Sequence, residues 1–119
     1  MTAATDPSLQ ADAKELEARL SLRQKSFAAA QQEAEQAAEL RQKTLDYRGM
    51  ARALAVGGEA ASDAGDAKAA SDLYLRAGRS AAAQGDVDLA RKWLEESARL
   101  ATADAVRNEA NELLKSLNT

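Results

Sequence analysis

Neither cysteine nor histidine occurs in this 119-residue chain. The first absence removes disulfides, zinc–thiolate sites and thiol nucleophiles, and leaves the redox compartment open. The second removes the commonest general base and the commonest metal ligand. Aromatics make up only 3% of the chain, and proline occurs once. No apolar run approaches the ~20 residues that span a bilayer. No secretory signal peptide is present, so the cytoplasm is the default expectation. The alternative is an envelope protein whose export signal has been trimmed. The small, polar start Met1-Thr2-Ala3-Ala4-Thr5 would then be a disordered tether.

Charged residues are 29% of the chain and the net charge is −3. A nucleic-acid surface needs a clustered excess of Lys and Arg, and the overall balance argues against one. Arg41, Lys43, Arg48 and Arg52 form a modest basic cluster, read as a solvated helix face. The carboxylate pairs Asp86/Asp88 and Glu95/Glu96 sit at adjacent or alternate positions, which do not face each other on a helix. No glycine is followed by the Lys-Ser/Thr of a phosphate-binding loop. The residues support no catalytic, cofactor or metal site, and the chain reads as a non-enzyme.

What the chain does have is alanine, about a quarter of it. A core built from alanine is thin and brings helices close together. The organising stretch runs from Gly58 to Ala98. Gly58 and Gly65-Asp66 are followed twenty residues later by Gly78 and Gly85-Asp86. Ala61 and Ala81 keep the same offset, as do Ala70 and Ala90. Glycine takes the left-handed conformation that closes a helix, and the following Asp caps the next one. Each Gly-Asp pair therefore reads as a tight turn between antiparallel helices.

Helical spacing supports this. Ala70, Leu73, Tyr74, Ala77 and Ala81 form one stripe of a helix expected over about residues 66–84. The next, about 86–102, carries two stripes: Val87, Ala90, Leu94, Ala98 and Ala101, then Leu89, Trp93 and Leu100. A helix apolar on two sides is sandwiched between neighbours. Gly78 inside a helix costs roughly 1 kcal/mol relative to alanine. A close neighbour, with Ala90 or Ala70 opposite, is the expected reason, and Gly58 is read the same way. Asp66, Asp86 and Asp104 are expected to be caps. Trp93 is expected to be core.

The pattern Gly78-x6-Gly85-Asp86-Val87-x2-Ala90-x3-Leu94 resembles the tetratricopeptide repeat, and Gly58-x6-Gly65-Asp66-x3-Ala70-x3-Tyr74 matches the same template. The resemblance covers about residues 51–101. The family repeats every ~34 residues, whereas the offset here is 20. One helix would then serve two successive units. The proline usual after the second helix is missing. The resemblance implies a protein-binding stack. Arg76 and Arg79 would line its concave side and meet acidic or C-terminal groups of a peptide. The Lys, Arg and Asn set that clamps chaperone C-termini in this family has no match here, so that partner is not implied.

Asp6-Pro7 is a helix-start signal. From Ser8 to Arg48 there is no glycine or proline, which reads as one long helix or two helices broken near Ser21–Ser26. Leu9, Ala13, Leu16 and Leu20 begin as a heptad, and after Arg23 the pattern resumes at Phe27, Ala30, Ala34 and Ala37. This segment either forms a self-associating coiled-coil arm or packs onto the stack. Alanine is a weak seam anchor, which favours packing. A third helix is expected over Leu45–Ala64. A last one after Asp104 carries Val106, Ala110, Leu113, Leu114 and Leu117 on a single face, as an end helix should.

The expectation is an all-α, antiparallel helix-turn-helix stack of tetratricopeptide-like type. It would comprise a disordered start over 1–6, an N-terminal helical segment over 7–44, and the stack proper over 45–119 with a capping helix at 104–118. The expected function is protein–protein interaction, with Arg48, Arg52, Arg76 and Arg79 as candidate partner-binding residues and a protein or peptide as partner. The alternatives are a structural protein self-associating through its first helix, as a homo-oligomer, and a helical bundle binding a small molecule in a cavity left by the alanines.

Overall fold

The computed structural model describes residues 6–118. Of the start expected to be disordered, residues 1–5 lie outside that range, and Asp6 caps the first helix. Six helices follow: α1 (Pro7–Arg23), α2 (Phe27–Lys43), α3 (Tyr47–Asp63), α4 (Ala67–Ala83), α5 (Val87–Leu100) and α6 (Asp104–Leu117). No strand occurs among the described residues. Each helix packs chiefly on its neighbours in sequence, and α1–α3 and α4–α6 touch lightly. The result is an antiparallel stack measuring 46 × 30 × 19 Å.

The twenty-residue unit extends beyond the two copies legible in the sequence. Gly65 and Gly85 have φ of +84° and +80°. Lys25 and Leu45, forty and twenty residues before Gly65, take φ of 63° and 61°. Each of these four turns is closed by the same long backbone bond. Ser26 N donates to Ser21 O, Asp46 N to Arg41 O, Asp66 N to Ala61 O and Asp86 N to Ala81 O, all at 2.8–2.9 Å. This is the Schellman closure, with its left-handed residue in the same place each time. Residues 7–43 thus form two helices broken at Gln24–Ser26, and α3 begins two residues after Leu45.

A non-glycine residue in the left-handed region costs roughly 1–2 kcal/mol. Leu45 is 71% exposed, so its side chain repays little of that in packing. Leu45→Gly is expected to stabilise the protein by about 0.5–1 kcal/mol, after the extra freedom of glycine in the unfolded chain is subtracted. A urea titration reads this directly, and an unchanged or lowered midpoint would show the turn to be unstrained.

Caps follow the turns, with two corrections. Asp6 Oδ1 accepts from Ser8 N at 2.9 Å, Asp46 Oδ1 from Gly49 N at 2.9 Å and Asp66 Oδ1 from Ala69 N at 3.1 Å. Asp86 occupies the cap position of α5 but makes no capping hydrogen bond. Its carboxylate lies 3.6 Å from Arg48 Nε instead. Asp104 is the first residue of α6, not its cap. It favours the helix by its charge at the N-terminus and pairs with Arg107 at 2.8 Å.

The core is built from alanine. Among the described residues, only Leu54, Leu73, Leu75, Trp93 and Leu94 are both buried, apolar and larger than alanine. Gly78 does answer to a close neighbour, but that neighbour is neither Ala90 nor Ala70. A Cβ placed there would lie 2.6 Å from Leu94 Cγ and Cδ2. Gly58 stands in the same relation to Tyr74, whose ring would lie 3.0 Å from an added Cβ. In both cases the bulky residue is sixteen positions downstream, on the next helix. Buried Ser97 Oγ donates to Ser71 O at 2.8 Å, tying α5 to α4. Trp93 is 7% exposed, as expected of a core residue. Its ring lines one hollow together with Ala55, Val56 and Tyr74 of α3 and α4. Val87, expected in a core stripe, is 39% exposed.

Candidate interaction site

The stack has two broad faces. On one, α2 and α4 stand as walls and α3 lies between them. A groove of about 460 Å³ opens there, lined by Tyr47, Met50 and Leu54 of α3 and by Arg76, Arg79, Ser80 and Ala83 of α4. A second hollow of about 440 Å³, with Gln31 and Glu35 of α2 opposite Asp72 and Leu73 of α4, shares Arg76 with it. In the first groove the floor is apolar and the α4 rim carries Arg76 and Arg79, whereas Glu35 and Asp72 make the rim of the second hollow mixed in charge. Ser80 Oγ donates to Tyr47 O at 3.0 Å, which fixes the first turn of α3 against α4 and so sets the groove's width.

Two of the four candidate arginines meet here. Arg79 Nη1 lies 2.8 Å from Glu109 Oε2 of α6, and Arg76 Nη1 lies 4.0 Å from Glu35 Oε1 of α2. Both arginine side chains are about half exposed, and so are the carboxylates. Pairs of this kind are worth ~0–1 kcal/mol, so an incoming carboxylate can replace either partner at little cost. The other two candidates are elsewhere. Arg48 pairs with Asp86, and Arg52 lies on the opposite face.

That opposite face has its own hollow of about 490 Å³, where Arg19 of α1, Arg52 of α3 and Lys92 of α5 surround Tyr74 and Trp93. Glu59 and Glu96 share the rim and offset most of the positive charge. Arg19 and Lys92 carried no periodic or motif signal in the sequence. They meet Arg52 only because odd-numbered helices share a side of the stack.

Arg41, read as part of a solvated cluster, is a structural node. Its side chain is only 11% exposed. Nε donates to Glu15 at 3.0 Å, Nη2 to Asp12, and Nη1 lies 3.7 Å from Asp46. One guanidinium thereby ties α1 to α2 and to the cap of α3. The Glu15 hydrogen bond raises the Arg41 pKa above its ordinary value against the opposing effect of burial, with Asp12 adding to the rise.

The Tyr74 phenol is pushed up to about 12, first by burial and then by Glu59, Glu96 and Asp63. Unfolded, it ionises near ~10. The folded chain keeps this proton through the window from 10 to 12 while the unfolded chain gives it up. The stabilisation is therefore complete below pH ~10 and drains away as the pH rises toward 12. A loss of ~1–2 kcal/mol across that window is expected, given the ring's partial exposure. Comparing denaturation of wild type and Tyr74→Phe from pH 9 to pH 12 isolates it; parallel curves would disprove the assignment.

Comparison with protein-family models and with curated proteins finds no match. Among the described residues no group of three or more acidic side chains is placed to hold a metal ion, and no helix is long and apolar enough to cross a membrane.

Proposed function

We propose that this chain is an interaction module whose α2–α4 groove binds an extended, acidic segment of a partner protein. One observation carries the reading. An apolar floor of Tyr47, Met50 and Leu54 lies beside two half-exposed arginines on a single wall. Such a site buries apolar side chains of an extended ligand along the floor. Arg76 and Arg79 take its carboxylates at the rim, each by exchanging one exposed pair for another. The helices are packed side by side, so the groove is preformed and binding orders only the ligand. The resemblance to tetratricopeptide repeats in residues 51–101 agrees with this use of a helical stack, as an analogy of fold.

The test is selection from a random peptide library, followed by mapping of the best binder through amide chemical shifts. Acidic peptides that shift residues 47–54 and 76–83 are expected. Arg76→Glu with Arg79→Glu is expected to weaken binding at least ~10-fold, which is ~1.4 kcal/mol. The melting temperature should hold within ~2 °C, because both side chains are half exposed. Selected peptides without acidic residues, or shifts confined to the α1–α3–α5 face, would refute the reading.

A further inference from the structure

From α3 to α5 the twenty-residue unit repeats which side of the helix is covered. Ala53, Leu73 and Trp93 hold one position in α3, α4 and α5, and all three are buried. Leu73 lies against Gly57 of the helix before it. The equivalent residue of α1 is Ala13, and no described helix precedes α1. Its stripe is open: Leu9, Leu16 and Leu20 are 48%, 61% and 46% exposed, and Ala13 is exposed with them. α1 meets α2 instead through the buried Ala11 and Ala18 and through Ser21 Oγ, which donates to Glu33 at 2.6 Å.

The two ends of the stack therefore differ. The outer side of α6 presents Asn108, Asn111, Glu112 and Lys115, all exposed and polar. A helical array requires such a face on its terminal unit. α1 presents Leu9, Ala13, Leu16 and Leu20 at alternating four- and three-residue spacing, the seam of a two-helix coiled coil.

We propose that α1 is the contact between two copies of this chain, which pair their first helices antiparallel about a two-fold axis. Charge selects this occupant and this orientation. With Leu9 across from Leu20 of the second copy and Ala13 across from Leu16, the flanking Asp12 faces Arg19, and symmetry repeats that pair. Parallel pairing would set Asp12 beside Glu17, two like charges. Arg19 has no ion-pair partner among the described residues. Asp12 holds Arg41 through Oδ1 and is 60% exposed, so Oδ2 remains for Arg19. Antiparallel pairing also continues the alternation of α1 to α6, making one uninterrupted array of the two stacks. The seam is short, below the ~800 Å² per partner of a standard interface, so a dissociation constant on the order of 10–100 µM follows. This surface is separate from the α2–α4 groove, and neither reading depends on the other.

The experiment is sedimentation equilibrium from about 10 µM to about 1 mM. A monomer–dimer equilibrium is expected. Leu16→Glu should be monomeric throughout, with an unchanged circular dichroism melt because the residue is exposed. Arg19→Glu should weaken the dimer at least ~10-fold. The chain has no cysteine, so equal amounts of Ala13→Cys and Leu16→Cys chains report orientation on oxidation. Antiparallel pairing favours the mixed 13–16 disulfide. A monomer at ~1 mM, a dimer that survives Leu16→Glu, or a predominant 13–13 disulfide would overturn the proposal.

Discussion

Leu94→Ala is expected to destabilise the protein by about 3–4 kcal/mol. Leu94 is fully buried and, among the described residues, is one of five large apolar residues in the buried core. The alanines around it are short and tied to helix backbones, so the vacated space has little to fill it. Its branch occupies the room that Gly78 leaves by having no Cβ. The two positions must therefore couple. In the native background Gly78→Ala drives a methyl into Leu94 Cγ. That overpacking, ~1–3 kcal/mol, outweighs the ~1 kcal/mol gained in helix propensity. With Leu94→Ala in place the side-chain clash is gone and only a 3.3 Å approach to the Leu94 backbone N remains, so Gly78→Ala is expected to range from neutral to a gain below ~1 kcal/mol. Denaturation of the four proteins closes a double-mutant cycle. Additivity within ~0.5 kcal/mol would mean that Gly78 is not there for Leu94.

Arg41→Met is expected to cost about 2–3 kcal/mol. Methionine keeps the apolar stem and the helix propensity, so the change removes chiefly the guanidinium. Three carboxylates from α1 and the α2–α3 turn lose their common donor. Because Asp12 and Asp46 are 60% and 40% exposed, water recovers part of the loss, which keeps it below that of a fully buried pair. The raised Arg41 pKa keeps the guanidinium charged through the neutral and ordinary alkaline range, so on the arginine's side this contribution is present below the ordinary arginine pKa and lost as the pH rises through the raised one. An exposed pair provides the contrast: Lys115→Met, which breaks the 3.5 Å contact with Glu112, is expected to cost under ~0.5 kcal/mol. Hydrogen exchange should find α1 deprotected first in Arg41→Met. Equal losses for the two variants would show Arg41 to be a surface charge after all.

Both effects bear on function through geometry. The groove depends on α3 lying squarely between α2 and α4. The Arg41 node sets the α2–α3 corner, and the Gly78–Leu94 and Gly58–Tyr74 contacts set how closely α4 meets its neighbours. Loosening either is expected to blunt peptide binding without touching a groove residue.

The class of fold and its turn chemistry were legible from local residue patterns alone. Gly65-Asp66 and Gly85-Asp86 set two turns because glycine alone adopts the left-handed position without cost. Asp6-Pro7 set the start of α1, and an alanine-rich, glycine-punctuated pattern set close-packed helices. The turns at Lys25 and Leu45 were hidden, since neither residue type signals positive φ. Tertiary packing holds them there because each chain reversal must keep the twenty-residue spacing of the stack. Only the tertiary structure decided which side of each helix is covered. The leucines of α1 read as a packing stripe, yet they lie outward because no described helix packs over them. Arg76 and Arg79 are i,i+3 neighbours, so local spacing placed them together. Arg41 became a node, and Arg52 joined Arg19 and Lys92, through contacts 26 to 40 residues apart, which no local period encodes.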